Sequence, residues 1–293
     1  MRRRPFILLP VLVAAAAVVF SSCGRTPPVP DNSNPPAAVG SLAESPSATP
    51  PVPAPSPFPP PSEDVSPIPE AWLDSGIFSD YYDAAYALLE TMTTEEKIGQ
   101  MLLARRPPAG ASEFIQSVQP GGFVLFEPDF RDRTADDVIA MLEAMQGAAK
   151  IPLIIATDEE GGSVVRVSRN PLLSDRIFRS PQKLFADGGL DAIRADALEK
   201  ATLFKKLGLN LNLAPVTDVS VNREAFMYPR AFGQPAAETA GYVAAVVSAM
   251  QKTGVSSSLK HFPGYGNNAD THQGAAVDMR PYGVFTSSDF IPF

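Results

Sequence analysis

The chain has 293 residues, enough for one large domain with a tail. Its 24 basic and 32 acidic residues leave a formal charge of −8, which offers nucleic acid no basic stripe as a partner surface. A single cysteine excludes an intrachain disulfide framework and a cysteine-cluster metal site. Neither G-x-G-x-x-G nor G-x-x-x-x-G-K-[ST] occurs, so no cofactor and no metal are expected.

Arg2, Arg3 and Arg4 precede a continuous apolar run from Pro5 to Phe20, then Ser21, Ser22, Cys23 and Gly24. A charged start followed by an apolar stretch too short for a comfortable membrane span is the pattern of an export signal. Small residues before the only thiol make this segment resemble a bacterial lipoprotein signal, with Phe20 where leucine is usual. The resemblance implies a signal peptide over 1–22 and lipid on Cys23, which would anchor the protein to the bacterial cell envelope on its periplasmic or extracellular face. The alternative is a plain export signal with an unused cysteine. Residues 27–69 hold 16 of the 31 prolines, so 23–69 is expected to be an extended spacer behind the anchor, because proline lacks the backbone donor and fixes φ.

The folded part is expected over 70–293. Trp72, Phe78, Tyr81, Tyr82 and Tyr86 read either as a helical prelude or as a sugar-stacking surface. Thr93 or Thr94 caps a predicted helix that runs to about Leu103, with Glu95 and Glu96 in its first turn and Ile98, Met101 and Leu102 as its apolar face. Gly121-Gly122 lead into FVLF, a buried-strand pattern, and 127–133 reads as a loop. Thr134 to Ala148 space Val138, Met141, Leu142 and Met145 as a helix does. IPLIIAT at 151–157 is the next strand and ends in Asp158-Glu159-Glu160-Gly161-Gly162. A helix over 190–207, a strand over 209–216 ending near Asp218, a helix over 235–252 and a strand over 255–262 follow.

Near-continuous apolar strands separated by amphipathic helices predict an α/β fold, a parallel sheet covered by helices. A doubly wound sheet fits that pattern too. Polar groups favour a barrel: Asp158, Asp218 and Lys260/His261 each stand at the carboxyl end of a different strand, where a (β/α)8 barrel assembles its site. The last strand exits into SSSLKHFPGYGNNADTHQGAAVDMR at 256–280, which contains the only two histidines among glycines and charges, a setting for proton transfer.

At this point the sequence resembles glycoside hydrolase family 3, in particular the branch of bacterial β-N-acetylhexosaminidases. MTTEEKIGQMLL at 92–103, GGFVLF at 121–126, TDEEGGSVVRV at 157–167, LNLAPVTDVSVN at 211–222, PRAFG at 229–233 and KHFPGYGNNADTH at 260–272 carry the resemblance in family order. It implies a TIM-type (β/α)8 barrel that stops here after about four or five strands, and hydrolysis of terminal β-N-acetylhexosamine from a glycan by a retaining mechanism. It assigns Asp158, Arg166, Arg230, Lys260 and His261 to the sugar, His272 to general acid/base work, and Asp270 to its support.

The sequence departs from the branch at Tyr265, where histidine is common, and over NREAFMYP at 222–229. The nucleophilic carboxylate that a retaining mechanism requires is placed by the family after a later strand and is not expected within this chain. Two alternatives follow: a noncatalytic sugar-binding or truncated remnant, and a β-glucosidase or xylosidase of the same family. ADTH at 269–272 speaks against the second.

Overall fold

The computed structural model describes residues 79–293; Trp72 and Phe78, the leader, Cys23 and the proline-rich spacer lie outside that range. A 3-10 turn at Ser79–Tyr81 runs into helix α1, Tyr82–Glu90, so the described part of the prelude is helical, although it buries none of its residues. Helix α2 is Thr94–Gln100. Thr93 caps it by accepting from the Glu96 amide at 3.2 Å, and Glu96 returns the bond to the Thr93 amide at 3.0 Å.

The expected extension of this helix to Leu103 does not occur. The amides of Met101 and Leu102 turn back to the carbonyls of Ile98 and Gly99, and the Gln100 side chain is held by the Gln119 carbonyl at 2.8 Å. Leu103–Arg105 then forms strand β1, which the sequence reading does not separate from the end of the helix. With the helix cut short, Ile98, Met101 and Leu102 no longer share a packed stripe, and Met101 is 84% exposed.

Helix α3, Ala111–Val118, leads to strand β2, Gly122–Leu125. The expected loop after it contains the short helix α4, Glu127–Phe130. Helix α5, Ala135–Ala148, is capped by Thr134 and buries Val138, Leu142 and Met145, as its spacing predicts. Strand β3 is Ile154–Thr157. Helix α6, Pro181–Leu207, bends at Gly188 and Gly189, so its second half coincides with the predicted 190–207 segment. Strand β4, Leu211–Asn212, helix α7, Ala236–Gln251, and strand β5, Ser256–Ser257, complete the repeat. Tyr282–Val284 forms the short helix α8, continued by a wider turn at Phe285–Asp289.

β4 and β5 are shorter than predicted, and on the side facing β3 asparagine side chains supplement the ladder of β4. Asn210 accepts from the Ile155 amide at 2.8 Å and donates to the Leu153 carbonyl at 3.0 Å. Asn212 accepts from the Glu159 amide at 3.0 Å and donates to the Glu159 carbonyl at 3.3 Å. Beyond Pro215 pairing resumes only as a bridge between Val216 and Lys260.

All five strands are parallel and lie in the order β1-β2-β3-β4-β5. A doubly wound sheet reverses its order at a switch point, and this one advances strand by strand as a barrel does. The sheet is open. Its register puts Phe123, Ile155 and Leu125 on one face, where they pack with Val138 and Leu142 of α5, Ala201 and Phe204 of α6 and Val246 of α7. Burial of each large side chain there contributes about 1.5–3 kcal/mol. Leu103 and Ile154 stand on the opposite face, 40% and 46% exposed. Among the described residues no helix is long and apolar enough to cross a membrane.

At Gly122 a β-carbon would lie 2.1 Å from the Ile154 carbonyl oxygen, inside the β2–β3 pairing. Gly122→Ala is expected to destabilise the domain by about 1–3 kcal/mol or more, measured by urea unfolding against the unsubstituted protein. An unchanged midpoint would show that the two strands can separate without loss.

Candidate active site

The site is built where β3, β4 and β5 end. After Thr157 the backbone turns sharply through Gly161, whose φ is +101° and whose added β-carbon would meet the Arg179 carbonyl at 2.2 Å. The two adjacent glutamates before this turn go to different places. Glu159 is fully buried and accepts from the amides of Arg166 and Val167, both at 2.7 Å, and from the Ser168 hydroxyl. It organises the 159–168 loop. Glu160 faces the strand ends instead.

Lys260, just beyond β5, places its ammonium 2.6 Å from both Asp158 Oδ1 and Glu160 Oε1. Arg230 grips Glu160 with two parallel bonds, Nε to Oε2 at 3.0 Å and Nη2 to Oε1 at 2.7 Å. The same Nη2 lies 3.3 Å from His261 Nε2. On its other side His261 Nδ1 stands 2.7 Å from Asp218 Oδ2. Since Asp218 can only accept, the network assigns the imidazole proton to Nδ1 and leaves Nε2 to accept from Arg230. Asp218 also receives the amides of His261 at 3.2 Å and Tyr265 at 2.7 Å. The result is a half-buried chain of alternating charge with carboxylates to accept from hydroxyls and cations to donate to them. Burial pushes the Glu160 carboxyl up, but the bond from Arg230 and the charges of Lys260 and Arg230 outweigh it and hold the group below its ordinary value of 4.5.

Asp270 and His272 lie on the loop that follows. The Asp270 Oδ1 atom receives the His272 amide at 3.0 Å and stands 2.7 Å from His272 Nδ1, and Gln273 Nε2 reaches Oδ2 at 3.1 Å. The first contact is an Asx turn, so local turn chemistry and the ring pairing coexist on one carboxylate. The backbone and ring bonds from His272 hold Asp270 below its ordinary range. The His272 side chain is 78% exposed, and its Nε2 is left for other partners by the pairing at Nδ1.

Residues 93–293 match the Glycosyl hydrolase family 3 N terminal domain. The chain belongs to this family. A beta-hexosaminidase from Xanthomonas campestris pv. campestris (strain B100) is 33% identical over 184 residues, which are 62% of this chain and 55% of that protein. A Beta-N-acetylhexosaminidase from Beutenbergia cavernae DSM 12333 is 27% identical with a TM-score of 0.53, over 61% of this chain and 56% of the other. For the fold alone, a glycoside hydrolase family 3 beta-N-acetylglucosaminidase from Paenibacillus sp. str. FPU-7 aligns with a TM-score of 0.63 at 24% identity, covering 69% of this chain and 39% of the other. The chain therefore spans about half the length of the curated relatives it matches.

Within this family 3 domain the structure brings Asp158, Arg230, Lys260 and His261 into one cluster. Asp270 and His272 pair on a separate loop. Arg166 lines a small polar pocket with Glu127, Arg131 and Arg169, and its side chain bonds the Val165 carbonyl at 3.5 Å rather than the cluster. Glu160, the residue that joins Lys260 to Arg230, is missing from the expected sugar set. Its only signal in the sequence is a second glutamate before Gly161-Gly162. Asp218 holds the His261 ring and the amides of His261 and Tyr265. Among the described residues no group of three His, Cys, Asp or Glu side chains is placed to hold a metal ion.

Because the folded pKa of Glu160 is lowered, its stabilisation is complete above the ordinary value of 4.5 and is lost as pH falls through the lowered value. Glu160→Gln should flatten that part of the acid unfolding profile. It should also destabilise the domain at neutral pH by about 3–5 kcal/mol, since Lys260 and Arg230 lose their shared partner. Thermal unfolding across pH 3–7 measures both effects.

Proposed function

We propose that the protein is a glycoside hydrolase that removes terminal β-N-acetylhexosamine from a glycan with retention of configuration. The observation that carries this reading is the 2.7 Å pairing of His272 Nδ1 with Asp270 on a loop next to a half-buried ionic cluster. The neighbouring carboxylate fixes the ring through Nδ1, which leaves Nε2 to protonate a leaving glycosidic oxygen and later take a proton from water. Asp158, Arg230, Lys260 and His261 bind the hydroxyls of the sugar being released, with Glu160 setting the spacing of the two cations. Family membership and the names of the relatives support the substrate class.

The strand-end carboxylates are already engaged: Asp158 and Glu160 with Lys260, Asp218 with His261 and the Tyr265 amide. As the resemblance to family 3 implies, the nucleophile of a retaining reaction is assigned to a later strand than the five of residues 79–293. Turnover by those residues alone would overturn that assignment.

In the complete protein, His272→Ala should lower kcat/KM for a poor-leaving-group N-acetylhexosaminide by about 10²–10⁴-fold. An aryl glycoside whose leaving group departs without a proton should lose far less. Lys260→Ala should weaken both substrates together, through lost binding. Steady-state kinetics on the two substrates tests this. Equal losses for both in His272→Ala would remove the acid role.

We also propose export and lipid attachment at Cys23, supported by the Arg2–Arg4 start, the apolar run and the small residues before the thiol. Mass spectrometry of the mature N-terminus should find a lipidated Cys23. An unmodified terminus elsewhere would contradict it.

A further inference from the structure

The sugar cluster and the Asp270–His272 loop meet through one side chain, Tyr265. Its amide donates to Asp218 Oδ1 at 2.7 Å, while the other oxygen of that carboxylate holds His261 Nδ1 at 2.7 Å. Its ring packs on Val216, Met227 and Ala231, lies 5.6 Å from the Phe226 ring and meets His261 edge-on at 5.8 Å. Its hydroxyl faces the loop. There it accepts the Thr271 amide at 2.8 Å, donates to the Ala269 carbonyl at 3.1 Å and lies 3.0 Å from Thr271 Oγ1. A phenol can meet all three demands together, since its oxygen accepts twice while its one proton is donated.

Thr271 is the residue between Asp270 and His272. A bond to its amide therefore fixes the backbone from which both members of the pair project. The pair is otherwise held by its own short-range contacts, the Asx turn and the Gln273 side chain. The His272 side chain is mostly in solvent, so packing does little to place it.

We propose that Tyr265 is the positioning residue of the Asp270–His272 loop. Its amide and ring fix it to the floor of the sugar cluster, and its hydroxyl sets where the His272 imidazole stands. The tether rests on the contacts just described; its effect on turnover rests on the acid/base reading of His272.

Tyr265→Phe in the complete protein separates the hydroxyl from the ring, because the packing on Val216, Met227 and Phe226 is kept. Amide hydrogen exchange over 269–272 should become about two- to tenfold faster, the factor that hydrogen bonds of ordinary strength set. Exchange in β2, β3 and α5 should stay as it was. Thr271→Val, which removes only the 3.0 Å hydroxyl contact, should give a smaller rise. With the two glycosides used for His272→Ala, Tyr265→Phe should lower kcat/KM about tenfold for the poor leaving group and less than twofold for the good one.

Unchanged exchange over 269–272, or a rise shared by the whole domain, would overturn the tether. Faster loop exchange with an unchanged leaving-group ratio would overturn the positioning role, provided that His272→Ala shifts that ratio. If His272→Ala leaves the ratio unchanged too, the acid/base reading falls, and the faster exchange still upholds the tether.

Discussion

The arrangement of the site depends on the Lys260 ammonium between Asp158 and Glu160. Those carboxylates leave the end of β3, whereas Lys260 leaves β5, two strands away in the sheet. The Lys260 carbonyl is meanwhile held by Thr217 of the segment after β4, through its amide at 2.6 Å and its hydroxyl at 2.9 Å. One residue thus ties three strand ends together. Two carboxylates brought this close in a half-buried site would repel each other without a cation, and the desolvation of all three groups opposes the gain. A cluster of this kind adds little net stability over an apolar substitute. What it fixes is geometry, with two cations and two carboxylates held at set distances for a ligand rich in hydroxyls.

The cluster and the Asp270–His272 pair differ in burial, and the difference suits different tasks. Arg230, Lys260 and Glu160 are largely withdrawn from solvent and cross-braced, so their positions survive an exchange of ligand for water. His272 stands in solvent on a loop of small residues. In the reaction proposed above, a group that serves a leaving oxygen and then a water gains from being able to move. It also needs a limit on that movement. Asp218 supplies the link, since one of its oxygens orients His261 and the other anchors Tyr265.

Apolar runs and caps made β2, β3 and α5 legible, because each element satisfies its own period. β1 was not legible: three residues directly after a capped helix carry no period of their own, and the leucines at 102 and 103 extend the helical pattern. β4 and β5 were read too long, and the sequence does not reveal that Asn210 and Asn212 add their side chains to the pairing with the β3 segment. In the site, the Asp270/His272 spacing could be read as a bent-loop pair. Glu159 and Glu160 could not be told apart, since only the fold shows that one meets the amides of Arg166 and Val167 and the other meets Lys260 and Arg230. Tyr265 and the stretch at 222–229 could be recognised as departures from the family pattern. That they touch, Phe226 and Met227 against the Tyr265 ring, required three dimensions.

The winding of the sheet explains why the site draws on so many short segments. In a sheet that reverses direction, a ligand enters a crevice at the switch point, and two loops supply most of its contacts. Here each strand lies beside its predecessor, and every carboxyl end opens toward the same side. β3 contributes Asp158 and Glu160, the segment after β4 contributes Asp218 and Arg230, and β5 contributes Lys260 and His261. Each loop is therefore asked for only one or two groups, and the ion pairs between them hold the groups of different loops to one another. Tyr265 fits this logic, since its hydroxyl bonds the last loop and the charges of the cluster bond one another.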